Sequence, residues 1–282
     1  MRILHLIILC VFAATDMAAQ PTYNRTDSIT ICRLLSEAPR GAGALWFANR
    51  FMDVPYVAHT LEVNAATQER LVVNTRQMDC TTLVETVTAL TLCAQAEKRH
   101  WQDYLDMLRK LRYRQGRIKD YTSRLHYFSD WIVDKERMSF VKEIQGPNPP
   151  FTAVQLIRAD YMSRHADLYQ ALKAHPGLVP AIRRQEQELT GTQRRYIPKD
   201  AIQNSQLMRQ TIRDGDIIAI TCDKKGLDIA HLGFAVWRAD GLHLLNASQL
   251  HKKVVTEPMT LSEYLRKHPS HTGIRVVRIV RQ

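Results

Sequence analysis

Residues 76–85 read RQMDCTTLVE, and within them an extended segment gives way to a helix. The preceding residues 71–73, LVV, are of the types that favour strands. After Cys80, apolar side chains recur with a period of about 3.6 residues, which is typical of an amphipathic helix. These apolar positions are Leu83, Val84, Val87 and Leu90. The sequence therefore predicts a strand-to-helix junction with Cys80 at the start of the helix.

Two capping schemes place Cys80 in or beside the first helical turn. Asp79 can serve as the N-cap, and Thr82 with Glu85 has the spacing of a capping box. Free backbone N–H groups and the positive end of the helix dipole favour a thiolate at this position. The same N–H groups can hold the oxyanion of an acyl-transfer intermediate. The plain alternative is that Cys80 is a small buried apolar residue, and a nearby base decides between the two.

The composition is that of an ordinary globular protein. The chain has 282 residues, 45% of them hydrophobic and 24% charged, which is enough for one large domain or two small ones. The net charge of +11 comes from scattered basic residues, as on a solvated surface. A basic exterior also favours anionic partners such as cell-wall polymers. The sequence lacks the aromatic-and-basic motifs of nucleic-acid-binding proteins, so we expect no nucleic-acid partner.

The first nineteen residues have the features of a secretory signal peptide. Arg2 precedes the mostly apolar residues 3–14, and Met17-Ala18-Ala19 predicts cleavage after Ala19. We therefore expect an exported, periplasmic protein. No later stretch is long and apolar enough for a membrane helix, so we expect no stable membrane insertion. The expected oligomeric state is a monomer.

The cysteines of the mature chain do not have the spacing of a disulfide scaffold. They are Cys32, Cys80, Cys93 and Cys222. We interpret Cys93 as a packing residue, while the pairing of Cys32 with Cys222 is left open.

We expect residues 20–282 to form a single catalytic domain, with residues 97–200 as a mainly helical lobe within it. In this lobe the sequence predicts a helix from about Thr152 to Ser163 and a break at Tyr196-Ile197-Pro198. Residues 121–132, YTSRLHYFSDWI, are rich in aromatic and hydrogen-bonding groups. A core helix is the default interpretation of this stretch, and a platform for sugar rings is the functional alternative.

The C-terminal part of the chain reads as β-structure, with His231 and Asn246 in two strands of one hairpin. Side chains alternate between faces with a period of two, so His231 and Asn246 project to the same side. A two-residue loop at Asp240-Gly241 would place Asn246 opposite Ala235, about 13 Å along the strand from His231. We therefore predict a longer loop or a bulge that places Asn246 opposite Gly233 or His231.

Cysteine, histidine and asparagine form a known nucleophilic set. The imidazole takes the thiol proton and later protonates the leaving amine, while the amide orients the ring. Taken alone, His231 or Asn246 is an ordinary polar strand residue. The sequence has no His-Glu-x-x-His motif, so we expect no metal and no other cofactor.

Three segments resemble the NlpC/P60 superfamily of bacterial cell-wall cysteine amidases, namely DCTTLVE (79–85), AHLGFA (230–235) and LNAS (245–248). Residues 54–57, VPYV, are similar to the segment upstream of the superfamily's cysteine. Residues 121–132 and 196–199 look typical of its AmiA-like branch, domain-of-unknown-function family 1460. The resemblance implies an α+β, papain-like fold with the cysteine helix packed on an antiparallel sheet. It also implies Cys80 as nucleophile, His231 as base and Asn246 as the third member.

The AmiA-like branch is similar to N-acetylmuramoyl-L-alanine amidases that act on soluble anhydro-muropeptides, so peptidoglycan fragments are the implied partners. The resemblance implies that Cys80 attacks the lactyl carbonyl of muramic acid. The substrate-binding candidates that it implies are Tyr56, Asp79, Arg124, Tyr127 and Trp131. Two alternatives stay open: a γ-D-glutamyl-diamino acid endopeptidase of the same superfamily, and a non-catalytic protein that binds the wall.

Overall fold

The helix predicted at the 76–85 stretch runs from Cys80 to Gln95 in the computed structural model, which describes residues 20–62 and 68–281. Its N-cap is Asp79, whose side chain accepts from the Thr82 N–H at 2.8 Å, while the Asp79 N–H donates to Thr82 Oγ1 at 2.9 Å. This confirms Asp79 as the cap. The scheme with Glu85 as capping residue is wrong, because Glu85 instead forms a buried ion pair with Arg112 at 2.7 Å.

Helices and strands alternate in the order of an α+β fold. The helices are α1 (Arg25–Glu37), α2 (Ala44–Ala48), α3 (Cys80–Gln95), α4 (Trp101–Arg112), α5 (Phe128–Arg137), α6 (Tyr161–Arg164), α7 (Gln170–Ala174), α8 (Val179–Leu189), α9 (Gln206–Thr211) and α10 (Leu261–Arg266). The strands are β1 (Val141–Ile144), β2 (Ala153–Leu156), β3 (Gln193–Pro198), β4 (Ile217–Cys222), β5 (Ile229–Trp237), β6 (Leu242–Ser248), β7 (Lys253–Thr256) and β8 (His271–Ile279). Short 3₁₀ turns cover Asn49–Phe51, Arg114–Gly116, Tyr121–Ser123, Ala166–Leu168, Pro176–Leu178 and Lys199–Ala201.

All eight strands join one antiparallel sheet. Seven of them follow the order β2-β3-β8-β4-β5-β6-β7, and β1 pairs with β8 beside this path. Helix α3 packs against β5 and β6, where its apolar stripe meets Phe234 and Leu245 in the main core. The opposite side of the sheet carries a second apolar cluster that includes Ile218, Ile220 and Val276. The cysteine helix therefore lies on an antiparallel sheet, while the papain-like character of this core stays a prediction.

The expected lobe at residues 97–200 is less purely helical than its sequence predicts. It supplies β1, β2 and β3 to the common sheet. The helix predicted from about Thr152 to Ser163 is wrong, because residues 153–156 pair antiparallel with β3 and only Tyr161–Arg164 is helical. The break predicted at residues 196–198 is also wrong, since these residues end β3 and the last two pair with β8.

Segments near the N-terminus add little to the sheet. Residues 71–73, predicted as a strand, form a single parallel bridge between Val72 and Thr22. The signal-peptide prediction for residues 1–19 lies outside the described residues. Along the described parts of the chain, no helix has the length and apolarity needed to cross a membrane. Cys32, Cys80, Cys93 and Cys222 are all free, so Cys32 and Cys222 do not pair.

Candidate active site

The β5–β6 hairpin brings His231 and Asn246 together. Trp237 pairs with Leu242, so four residues, 238–241, connect the strands instead of two. The Phe234–Leu245 pair then places Asn246 opposite Gly233, which confirms the predicted longer loop. His231 lies two residues further along the same face, a diagonal over which side chains can meet.

Gly233 allows the close approach of the two strands. A Cβ at this position would lie 2.6 Å from the Leu245 carbonyl oxygen and 2.7 Å from a side-chain carbon of Leu244. Any larger residue would push β6, which carries Asn246, away from β5. The glycine is therefore part of the geometry that joins the histidine to the asparagine.

The His231 imidazole lies between Asn246 and Cys80. His231 Nε2 donates to Asn246 Oδ1 at 2.8 Å, and Asn246 is fully buried. The Cys80 side chain lies close enough to the same imidazole for its charge to act on it. Because Asn246 occupies Nε2, the nitrogen left for the thiol is Nδ1. The thiol, the imidazole and the amide therefore lie together in one site.

The pKa of His231 is raised above its ordinary value. Burial alone would lower it, but the charge of Cys80 and the hydrogen bond to Cys80 act in the opposite direction. The hydrogen bond to Asn246 and the charge of Glu257 raise the pKa further. The surroundings of His231 therefore favour its imidazolium form.

Tyr56 is held beside the cysteine by an extended segment. The Tyr56 N–H donates to the Lys252 carbonyl at 2.8 Å, and the next N–H, of Val57, donates to the Met78 carbonyl at 3.1 Å. The pKa of Tyr56 is raised, first by burial and then by the negative charges of Cys80 and Asp79. Tyr56 and Asp79 thus lie in the electrostatic neighbourhood of the thiol, with Asp79 engaged as the helix cap.

The side chains of the other three substrate-binding candidates are engaged in contacts inside the protein. Arg124 pairs with Glu69 at 2.7 Å. The Tyr127 hydroxyl donates to Glu186 Oε1 at 2.7 Å. Trp131 is 1% exposed and its ring stacks on a neighbouring phenylalanine. These contacts favour a packing role, and substrate contact by Arg124, Tyr127 and Trp131 stays a prediction.

Sequence reasoning missed two groups behind and beside the set. Glu257 accepts a hydrogen bond from Asn246. Its position at the end of a strand gives no sign in the sequence that its carboxylate is buried. Tyr264 lies near enough for the charges of Glu257 and Cys80 to add to the effect of burial, which together raise its pKa to about 12. Only the antiparallel pairing of β7 with β6 indicates that a residue just after β7 faces Asn246.

Across residues 20–62 and 68–281, no three His, Cys, Asp or Glu side chains converge in a way that could hold an ion. The chemistry available is that of a thiol, an imidazole and an amide at a helix N-terminus, which is suited to acyl transfer.

Fold and site together define an α+β protein in which a thiol, an imidazole and an amide lie close together, and comparison with known families identifies its family. The family model described as AmiA-like, N-acetylmuramoyl-L-alanine amidase-like, matches residues 46–274, and the chain belongs to this family. No curated protein matches the chain.

Solved structures agree with this membership. An N-acetylmuramoyl-L-alanine amidase from Bacteroides uniformis is 40% identical, with a TM-score of 0.78 over 85% of this chain and 98% of its own. A putative xylanase from Bacteroides fragilis is 39% identical, with a TM-score of 0.76 over 82% of this chain and 98% of its own. A Legionella pneumophila protein of the family 1460 model is 21% identical, with a TM-score of 0.66 over 90% of this chain and 95% of its own, and shares the fold.

Proposed function

We propose that the protein is a cysteine-dependent N-acetylmuramoyl-L-alanine amidase of the cell-wall hydrolase class, with the NlpC/P60 type of papain-like core. Its substrates are peptidoglycan fragments, in particular anhydro-muropeptides. The observation that carries the proposal is the joining of Cys80, at a helix N-terminus, to His231 and Asn246. The 40% identity to the Bacteroides uniformis amidase supports the substrate class.

The reaction proceeds by acyl transfer. The Cys80 thiolate attacks the lactyl carbonyl carbon of N-acetylmuramic acid, and the carbonyl oxygen becomes an oxyanion held by the Cys80 N–H. The His231 imidazolium protonates the alanine nitrogen, the C–N bond breaks, and the stem peptide leaves with a free amino group. Neutral His231 then takes a proton from water, whose oxygen attacks the thioester and releases the lactyl carboxylate and the thiolate. Asp79 and Tyr56 border the path of the substrate, and the Tyr56 hydroxyl is a second donor for the oxyanion.

A glycosidase is the less suitable interpretation, although one relative is a putative xylanase. Glycoside hydrolysis generally uses two carboxyl groups that flank the sugar bond. Here the reactive group is a thiol, Asp79 is bound as a helix cap, and the Glu257 side chain is 1% exposed. These engagements favour amide cleavage.

The proposed location follows from the substrate. Peptidoglycan fragments occur outside the cytoplasmic membrane, and residues 1–19 have the sequence features expected of a signal peptide. We propose a periplasmic protein. N-terminal sequencing of the mature protein should begin at Gln20, and an uncleaved Met1 in the exported fraction would contradict this location.

Mass spectrometry of digests tests the activity. Wild type and Cys80→Ala are each incubated with a disaccharide anhydro-muropeptide, with its free stem peptide and with xylan. Release of intact stem peptide plus disaccharide by wild type alone supports the proposal. An L-Ala–D-Glu dipeptide from the free stem would indicate the endopeptidase instead, and shortened xylan would indicate a glycosidase. A wild-type protein that binds muropeptide without cleaving it would be a wall-binding protein.

A further inference from the structure

We propose that Glu257 is a positioning residue of the active site, which holds the Asn246 amide with Oδ1 towards His231 and thereby fixes the tautomer of the imidazole. The inference rests on the proposed cysteine chemistry. It assigns a role to a carboxylate that lies just after β7 and does not touch the thiol.

The orientation of the Asn246 amide decides which nitrogen of His231 carries the hydrogen. With Oδ1 facing His231, Nε2 must donate, and Nδ1 is free to take the proton of Cys80. With the amide turned round, Nδ2 would donate to Nε2 and the ring hydrogen would move to Nδ1. That tautomer cannot accept the thiol proton.

Glu257 selects the productive orientation. Its Oε1 accepts from Asn246 Nδ2 at 2.9 Å, and an ionised carboxylate can only accept. In the turned amide, Oδ1 would face Oε1 and two acceptors would repel each other. The weaker 3.4 Å contact of Nδ2 with the Leu244 carbonyl favours the same orientation.

The main chain and a surface histidine fix the carboxylate itself. The Glu257 N–H donates to the Leu244 carbonyl at 2.8 Å, and the Glu257 carbonyl accepts from His243 Nδ1 at 2.9 Å. The second carboxylate oxygen, Oε2, accepts from His251 Nε2 at 3.1 Å. The Glu257 side chain is 1% exposed and that of His251 is 40% exposed. The contacts therefore lead from the His231 ring through Asn246 and Glu257 to His251 at the surface.

A double-mutant cycle tests whether Glu257 acts through Asn246. The variants are Glu257→Gln, Asn246→Ala and the double variant of the full chain, assayed for muropeptide cleavage between pH 5 and 10. Glutamine can turn either end towards Asn246, so kcat should fall about tenfold to a hundredfold, the value of one hydrogen bond to a charged group. In the Asn246→Ala background, Glu257→Gln should cause no further loss. Equal losses in both backgrounds would overturn the inference.

The alkaline limb of the pH profile is a second readout that a merely structural role would not move. The charge of Glu257 is one cause of the raised pKa of His231. Glu257→Gln should therefore move the loss of the imidazolium, and with it the alkaline limb of kcat/KM, to lower pH. If Glu257→Gln does not fold, Glu257→Asp replaces it in the cycle: kcat should fall while the limb stays, because the charge is kept.

Glu85→Gln is the matched control. It removes another buried carboxylate, 3% exposed, from an ion pair with Arg112 on the body of α3. We expect it to lower the thermal midpoint, to leave the alkaline limb in place, and to have equal effects with and without Asn246. A shift of the limb in this control would mean that any buried charge moves it, and would remove the pH argument for Glu257.

Nitrogen NMR of the imidazole separates this inference from the proposed function. In Cys80→Ala at alkaline pH, His231 is neutral and should be protonated at Nε2. In Cys80→Ala with Glu257→Gln, a mixture of the two tautomers is expected. An unchanged single tautomer would overturn the inference even if muropeptide is the substrate, and a mixture would support it even if another amide is cleaved.

Discussion

Replacing Gly233 with alanine should separate His231 from Asn246 without changing either residue. The new Cβ would lie 2.6 Å from the Leu245 oxygen, whereas Cβ contacts below 3.0 Å are essentially never found and ordinary contact begins at 3.4 Å. The strands must therefore move apart by 0.4 to 0.8 Å, the differences between those limits and 2.6 Å. Added to the 2.8 Å His231–Asn246 bond, this displacement stretches it to 3.2–3.6 Å, at or beyond the limit of a hydrogen bond.

Two consequences follow, and they are measured separately. Overpacking of this kind costs about 1–3 kcal/mol of unfolding free energy, which denaturant titration reports. Misplacement by a fraction of an ångström to about 1 Å costs up to about a hundredfold in kcat/KM, which the muropeptide assay reports on the folded fraction.

Two glycines provide controls. Gly177→Ala meets no atom within 4 Å and should change neither quantity. Gly273→Ala would meet the Ile197 oxygen at 2.2 Å, where β8 pairs with β3, so it should destabilise the sheet without a comparable loss of kcat/KM. If Gly233→Ala keeps a kcat/KM within twofold of wild type although its strands have moved apart, the role assigned to the glycine is refuted.

Three further outcomes are expected. Iodoacetamide at pH 7 should modify Cys80 faster than Cys93, whose burial raises its thiol pKa to about 12, and His231→Ala should slow the labelling of Cys80. Equal labelling rates of the two thiols, measured by peptide mass spectrometry, would contradict the proposed reactivity of Cys80. Arg112→Leu should lower the free energy of unfolding, measured in urea, by about 3–5 kcal/mol because it leaves Glu85 buried without its partner. A loss below about 1 kcal/mol would contradict this and would mean that water reaches Glu85. Burial and nearby histidine charges lower the pKa of His271 to about 4, so the unfolded chain binds a proton first and stability drops as the pH falls from 6.5 towards 4. His271→Asn should flatten the dependence of the thermal midpoint on pH in this window, and an unchanged slope would contradict the role of His271.

The parts of the fold that could be predicted are those with local signals. A cap, a cysteine and an apolar stripe within residues 79–90 specify α3, and alternation with a turn signal specifies the β5–β6 hairpin. Strands β1 and β2 could not be predicted, because β1 pairs with a strand that is remote in sequence and β2 does not alternate apolar and polar residues in the way of a half-buried strand. Val141 pairs with Ile279 at the far end of the chain, and β2 leaves Val154 and Leu156 exposed at the sheet edge. Such strands are stabilised by pairing, which periodicity does not reveal.

The candidate site divides in the same way. The proximity of Cys80, His231 and Asn246 could be predicted because their residue types match a known chemistry and hairpin geometry puts two of them on one face, while their catalytic roles stay a proposal. Glu257 could not, because a glutamate next to Pro258 reads as an exposed charge until the pairing of β7 buries it. Conversely, Trp131 lies in an aromatic stretch that invites a sugar-binding interpretation, yet the fold places it in the core.

The distance between thiol and imidazole depends on more than the packing of α3 on the sheet. Met78, two residues before Cys80, donates its N–H to the Pro55 carbonyl and accepts from the Val57 N–H. The same extended segment is also bonded to the start of β7 and the residue before it. The Val54 carbonyl accepts from the Val254 N–H, and the Tyr56 N–H donates to the Lys252 carbonyl. One segment, residues 54–57, thus ties the start of the cysteine helix to the strand that precedes Glu257. Main-chain hydrogen bonds therefore position Cys80 and Glu257 relative to each other. Proline is tolerated at the centre of this segment because position 55 contributes its carbonyl and needs no N–H.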